Sequence, residues 1–312
     1  MMGDTNSHSS LVIDPWFLDS VEVVRGPASV LYGRSSPGGI VALNSRKPSF
    51  DPGGEVKLFA GNNNQRGAAF DVTGPVDDND RVAVRLTGMT RYADSQFDHL
   101  KEQRYAIAPS VTWRITDSTR LDVMAYLHRD PEGGSHSGLP YEGTVVPHAG
   151  GKISNTFFEG EDKYDKYKRR ENMVGYNFEH MFDSGWSVRQ KLRYLRTKVD
   201  LNQVYASGWL NETELNRGYS GSDESLSAVT LDNQLDGSVD TGAINTVCWW
   251  ALIISIAITT SPHPMAASRR SMPLTRFTVP IRSQFPCMAV KSINWSRPGS
   301  MCRIRCRSIA GA

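Results

Sequence analysis

The first 244 residues contain no cysteine, and the last 68 contain no aspartate or glutamate. The first absence removes disulfides, thiolate nucleophiles and cysteine–zinc sites from most of the chain. The second marks a change of alphabet. Cys248, Cys287, Cys302 and Cys306, together with nine Lys/Arg, all fall from Asn245 onward. Residues 1–244 keep 26 of the 35 basic groups and all 33 acidic ones, a net of −7 within a chain that totals +2. One folded domain does not switch composition so abruptly, and residues 245–312 are read as a non-native, disordered tail.

No apolar run reaches the roughly 18 residues of a membrane-spanning helix. The longest, Trp249–Ile258, is about half that length, so no such helix is expected. The opening Met1-Met2-Gly3-Asp4-Thr5-Asn6-Ser7-His8 has neither a basic start nor an apolar stretch, so no signal peptide is expected there. No H-E-x-x-H, phosphate loop or nucleophile elbow occurs, and no enzymatic activity is expected. The cysteines lack a second matched pair and nearby histidines, so no metal is expected. Arg269, Arg270, Arg303, Arg305 and Arg307 lack interleaved aromatics, so no nucleic acid is expected as a partner. The mixed-charge run Glu159–Arg170 and the histidines His136 and His148 read as solvated loop.

What the chain does have is alternation. Between Glu55 and Asp240, runs of period two are separated by turn residues: Glu55–Gly61, Gly67–Val76, Arg81–Ala93, Arg104–Thr116, Arg120–Arg129, Asn172–Phe182, Trp186–Val199 and Glu224–Asp236. In Arg81–Ala93, Val82, Val84, Leu86 and Gly88 share one face, while Arg81, Ala83, Arg85 and Thr87 share the other. The connections are asymmetric. Asp77–Asp80, Asp117-Ser118 and Asp183–Gly185 are tight; Asp94–Gln103, Asp130–Arg170 and Ala206–Asp223 are long and polar. Short turns at one end and long loops at the other are the habit of a transmembrane β-barrel. The aromatics Tyr92, Trp113, Tyr126, Phe178, Phe182, Trp186 and Tyr194 fall near strand ends, as interfacial girdles require. The alternative is a soluble β-rich binding protein, a meander with one buried face and a basic tail.

Residues 1–50 are different: the short runs Ser20–Val24, Ala28–Tyr32 and Gly39–Ser45 are punctuated by Gly26-Pro27, Gly33 and Pro37-Gly38-Gly39. Such spacing suits a compact α+β element with tight turns. The stretch Val21-Glu22-Val23-Val24-Arg25-Gly26-Pro27-Ala28-Ser29-Val30-Leu31-Tyr32-Gly33, followed by Pro37-Gly38-Gly39, resembles the end of the plug domain of TonB-dependent siderophore receptors. Within this signature Arg25, Gly26, Pro27, Leu31, Tyr32, Gly33, Pro37, Gly38 and Gly39 are read as structural. Gly tolerates positive φ and Pro fixes its own, so Gly26-Pro27 forces a turn. Charges such as Arg25, Arg34, Arg46 and Lys47 can pair with carboxylates of a polar lumen.

The resemblance runs from Gly3 to about residue 244. It implies a mainly β fold: residues 1–50 as the C-terminal part of an α+β plug, and residues 51–244 as roughly eight strands of a partial transmembrane antiparallel barrel with its outer loops. The family barrel has about 22 strands, and the TonB box and the first half of the plug lie outside the matched stretch. The function implied is uptake of a ferric hydroxamate siderophore, of ferrioxamine or ferrichrome type, across the outer membrane. The siderophore would be the transported ligand, with no cofactor; the TonB complex and outer-membrane lipid would be partners. The plug-apex ligand contacts implied are Asp4, Thr5, Asn6 and His8. Thr5 and Asn6 stand where ferrichrome receptors carry aromatics, which favours a linear, ferrioxamine-like ligand. As encoded, the chain is expected not to transport.

The tail reads as a frameshift. Joining the third base of each codon from Val247 to the first two of the next permits L-V-G-V-D-Y-Q-Y-R-N-H-Y, which alternates as a barrel strand does. Near Pro298–Cys306 the same shift permits T-G-V-Y-V-Q-D-Q, which resembles a recurrent strand of the receptor family.

Overall fold

The computed structural model describes residues 8–26, 38–134, 138–241, 244–260 and 281–282. A 3-10 turn, Pro15–Phe17, is capped by Asp14, whose carboxylate accepts the Trp16 amide at 3.1 Å. It leads into β1 (Leu18–Arg25), which pairs antiparallel with β2 (Gly39–Ser45). Glycine is needed where this hairpin closes. Gly39 has φ +121° and a Cβ there would lie 2.1 Å from the Val24 carbonyl oxygen; Gly26 has φ +94°.

Beyond it stands one antiparallel sheet. Its strands are β3 (Gly53–Ala60), β4 (Arg66–Pro75), β5 (Val82–Asp94), β6 (Lys101–Thr116) and β7 (Thr119–Gly133), then β9 (Lys166–Met181), β10 (Ser187–Trp209), β11 (Leu215–Thr241) and β12 (Ile244–Thr260). Each pairs with the next in that order. The two-residue β8 (Lys152–Ile153), in the loop before β9, pairs with β13 (Ile281–Arg282). Strands β3 and β12 are the free edges among the described residues, so the sheet is an open portion of a barrel.

The two faces of the sheet differ in kind. Val56, Leu58, Phe70, Val72, Val84, Leu86, Ile107, Val111, Val123, Leu127 and Val174 are exposed on one face. Register aligns them: Val84 lies opposite Val111, Val111 opposite Val123, and Val123 opposite Tyr176. The other face buries Asp71, Thr87, Thr112, Asp122, His128, Asp130, Arg169, Glu171, Thr197 and Glu224. A sheet with apolar residues outward and charges inward is inside-out for water and correctly turned for lipid around a polar lumen. One apolar cluster interrupts the polar face: Phe17 packs with Ala106, Tyr126, Met173, Leu195, Leu226 and Ala228, drawn from five adjacent strands. The segment before β1 therefore plugs the concave side.

Several expectations need correction. Strands β10 and β11 run through most of Ala206–Asp223, leaving only residues 210–214 as a loop. The other long loops shrink to residues 95–100 and 134–165. Pairing continues past residue 244 through β12, so Ile244–Thr260 is strand and not disordered tail. An unbroken apolar run can pair as a strand whatever its origin; Leu252, Ile254, Ile256 and Ile258 are exposed along it. Tyr126 is no girdle residue: at 3% exposure it stacks edge-on against Phe17, ring centroids 5.1 Å apart. Tyr194 lies mid-strand in the apolar belt, opposite Val174 and Val229. Trp113 and Phe182 remain exposed near the tight-turn end, where a girdle is expected.

Candidate functional site

The inward face carries charge at alternate positions, and these charges grip the N-terminal segment at two places. At the first, Asp71 of β4 accepts from Arg46, just after β2, at 2.9 Å and from Arg85 of β5 through two further contacts. Thr87 donates to the same carboxylate at 2.6 Å, and Arg85 also reaches the Lys47 carbonyl at 2.7 Å. The Arg46 guanidinium lies 4.9 Å over the Trp16 ring. A carboxylate 5% exposed is thus balanced by two cations from different parts of the chain.

The second grip is larger. Arg104 of β6 holds Asp130 of β7 with two parallel bonds of 3.0 Å and reaches Asp14 at 3.1 Å. His128 touches Asp130 through Nε2 at 2.7 Å and Glu171 of β9 through Nδ1 at 3.2 Å. Glu171 accepts the Val12 amide at 3.1 Å and Arg169 at 2.7 Å. Arg169 in turn donates to the Ser10 and His8 carbonyls at 2.5 and 2.6 Å and to the Tyr167 hydroxyl at 2.9 Å. Side chains and backbone between His8 and Asp14 are thereby fixed by three strands. The bidentate guanidinium–carboxylate geometry sets orientation as well as energy.

At the loop end of the sheet a cavity of about 470 Å³ is lined by His99, Lys101, Glu132, Tyr164, Lys166 and Asn202 among others, with Tyr167 in its wall. Nearby, Trp209 stacks on His148 at 4.0 Å, and its indole donates to the Glu142 carbonyl at 2.9 Å. His148 is therefore packed, not freely solvated. The charge run Glu159–Arg170 is also not a solvated loop, since Glu159 and Arg169 are buried. Burial pushes the Asp165 carboxyl up to about 6, although the amides of Val204 and Glu161 favour its charged form.

A carboxyl whose folded pKa lies above its unfolded value makes stability fall as pH rises between the two. The Asp165 loop should therefore weaken from about pH 4 to about pH 6, by on the order of 1 kcal/mol after solvent screening, and stay flat above. Amide exchange at Val204, corrected for intrinsic rates, measures this. Asp165→Asn should remove the slope, and a slope surviving that substitution would reassign it.

Residues 1–40 match the TonB-dependent receptor plug domain family. The chain is 85% identical over 245 residues to the ferrioxamine B receptor of Salmonella typhimurium, an alignment covering 78% of this chain and 35% of that protein. Over most of its length the chain is similar to TonB-dependent siderophore receptors. It spans about a third of the length of the curated relatives it matches. The ferrichrome outer membrane transporter/phage receptor of Escherichia coli K12 is 38% identical over 258 residues, covering 77% of this chain and 34% of that one. In structure, the ferric-catecholate import receptor Fiu of Escherichia coli K12, closed form, superposes with a TM-score of 0.70 at 25% identity, over 80% of this chain and 37% of that one.

By this likeness the N-terminal segment corresponds to plug and the sheet to barrel wall. Of the expected ligand contacts, Asp4, Thr5 and Asn6 lie outside the described residues, as do Pro27, Leu31, Tyr32, Gly33 and Pro37 of the signature and the lumen-pairing candidate Arg34. His8 is described, and its carbonyl is held by Arg169. Gly26 and Gly38 close the β1–β2 turn through a 3.5 Å amide–carbonyl contact. Arg46 makes the expected plug–barrel ion pair. Arg25 and Lys47 do not share it: both are exposed, and Lys47 contributes only its carbonyl. Sequence reasoning missed Asp14, Arg104, His128, Asp130, Arg169 and Glu171. The available signal was the pairing of opposite charges two apart, His128 with Asp130 and Arg169 with Glu171, on the inward face.

Proposed function

We propose that this chain is a portion of an outer-membrane receptor that takes up a ferric hydroxamate siderophore of the ferrioxamine type, energised through the TonB complex. The observation that carries this reading is a plug segment ion-paired to the polar face of a sheet whose other face is apolar. The sequence likeness to the ferrioxamine B receptor supports the ligand class. Asp4, Thr5, Asn6 and His8 are proposed as plug contacts to the ligand. A neutral hydroxamate chelate presents methylenes and carbonyl oxygens, which small polar groups such as Thr5 and Asn6 accommodate. The outer-loop cavity, next to the residues that hold His8, offers a route of approach. Outer-membrane lipid is the proposed surrounding phase. Exposed Arg129, Arg170 and Lys198 lie directly opposite one another across β7, β9 and β10. Like charges so placed repel unless an anion answers them, as phosphate head groups at the outer interface do.

As encoded, the chain does not transport. Its described sheet leaves the outer edges of β3 and β12 unpaired, and hydrocarbon gives an open edge no hydrogen bonds. The residues after 244 are read as barrel sequence in a shifted frame. Grafting residues 1–244 into the Salmonella ferrioxamine B receptor tests both statements. The chimera should restore growth and radiolabelled iron uptake on ferrioxamine B, and this chain alone should not. A chimera that reaches the outer membrane but imports no ferrioxamine would overturn the ligand assignment; import by the chain alone would overturn the loss of transport.

A further inference from the structure

We propose that His128 is a proton-dependent latch that fastens the plug segment His8–Asp14 to the barrel wall. The imidazole is fully enclosed, its side chain 0% exposed, and each ring nitrogen faces a carboxylate. Nε2 lies 2.7 Å from Asp130 on its own strand, and Nδ1 lies 3.2 Å from Glu171 on β9. Ionised carboxylates only accept, so both contacts are hydrogen bonds only when both nitrogens carry protons. A neutral imidazole would set one lone pair against one carboxylate. The remaining groups around the ring are Arg104 from β6, bound to Asp130; Arg169 from β9, bound to Glu171; Tyr126 on β7; and Asp14 and the Val12 amide from the plug segment.

The charge count points the same way. Arg104 and Arg169 supply two positive charges against three carboxylates, Asp14, Asp130 and Glu171. The imidazolium brings this closed set to neutrality; a neutral ring leaves one negative charge in excess. Within the second grip, two of the holds on the segment pass through carboxylates bound to His128. Glu171 holds the Val12 amide, while Asp130 orients the Arg104 that holds Asp14. The latch is thus fastened at low pH and loosens as the ring loses its proton, because the contact that becomes repulsive lies beside the atoms holding the plug.

The test uses the whole chain in detergent micelles. Exchange of the Val12 amide, corrected for intrinsic chemistry, is followed from about pH 6 to about pH 9, the range over which a histidine can change charge. Opening should rise roughly tenfold for each unit above the point where the ring deprotonates. Nitrogen NMR of labelled histidine should show both His128 nitrogens protonated at neutral pH. Glu171→Gln is the discriminating variant. Its amide can donate to a neutral Nδ1 while its oxygen still accepts from Val12 and Arg169. It should hold the segment and lose the pH dependence. A purely structural role for Glu171 would weaken the hold equally at every pH. A neutral His128 at neutral pH, or Val12 protection that stays flat with pH in the unsubstituted chain, would overturn the latch.

Discussion

Replacing Asp71 with alanine is expected to destabilise the folded chain by about 3–5 kcal/mol, the usual cost of stripping one partner from a buried ion cluster. Asp71 sits between two guanidiniums, and its loss leaves Arg46 and Arg85 facing each other with no anion between them. Thr87, 2% exposed, loses its acceptor at the same time. Arg46→Met should cost less, because Asp71 keeps Arg85 and Thr87. The difference matters for location: Arg46 belongs to the plug side, whereas Arg85 is barrel wall. Denaturant unfolding in micelles measures the total. Proteolysis of the β1–β2 region then reports whether the plug has come loose. Equal costs for Asp71→Ala and Arg46→Met would mean that the carboxylate serves only the plug contact. A cost below about 1 kcal/mol for both would mean that water reaches the cluster.

How much of this arrangement could be read in the chain depends on how local its cause is. The face assignment of β5 is local: Val84 and Leu86 point outward, and Ala83 and Thr87 are buried, as the alternation requires. The girdle was only partly legible, since Tyr126 and Trp113 look alike in sequence until the strand's parity is known. The upper halves of β10 and β11 looked like loop because Gly208, Gly218, Gly221 and several serines interrupt them. The structure shows what compensates. Gly218 lies opposite Tyr205, whose ring occupies the space a Cβ would need, 2.8 Å away. Phe70 covers Gly88 and Phe59 covers Gly67 in the same way, each across a register pair. An aromatic laid over a cross-strand glycine restores the lost packing, but the pairing register that makes it possible is not visible in one strand. The candidate site was the least legible part. Asp14 meets Arg104, and Val12 meets Glu171, across 90 and 159 residues. Only packing of the plug segment against the assembled sheet brings them together, so the individual charges could be seen but not their partners.

The reading of the outer face as lipid-facing can be put to a single substitution. Trp113 lies at the tight-turn side of β6 and Tyr105, opposite Arg129, at the loop side. Their separation of eight residues is about 26 Å along the strand, and about 20 Å along the membrane normal at a tilt near 40°, against an apolar band about 25 Å tall. Pro109 is midway, and Leu86 lies directly opposite it. Leu86 is 40% exposed and flanked on β4 by Val72. In water, Leu86→Arg would be a surface change worth no more than about 0.5 kcal/mol. In a bilayer it carries a guanidinium to the midplane and should cost about 2–4 kcal/mol. Urea titration in phospholipid vesicles, with Lys57→Arg on the inward face of β3, two strands away, as the control, separates the two. A near-neutral Leu86→Arg in vesicles would return the sheet to the soluble-meander alternative. A large cost confined to the outward position would fix the apolar face against hydrocarbon, and with it the orientation that puts the plug grips in the lumen.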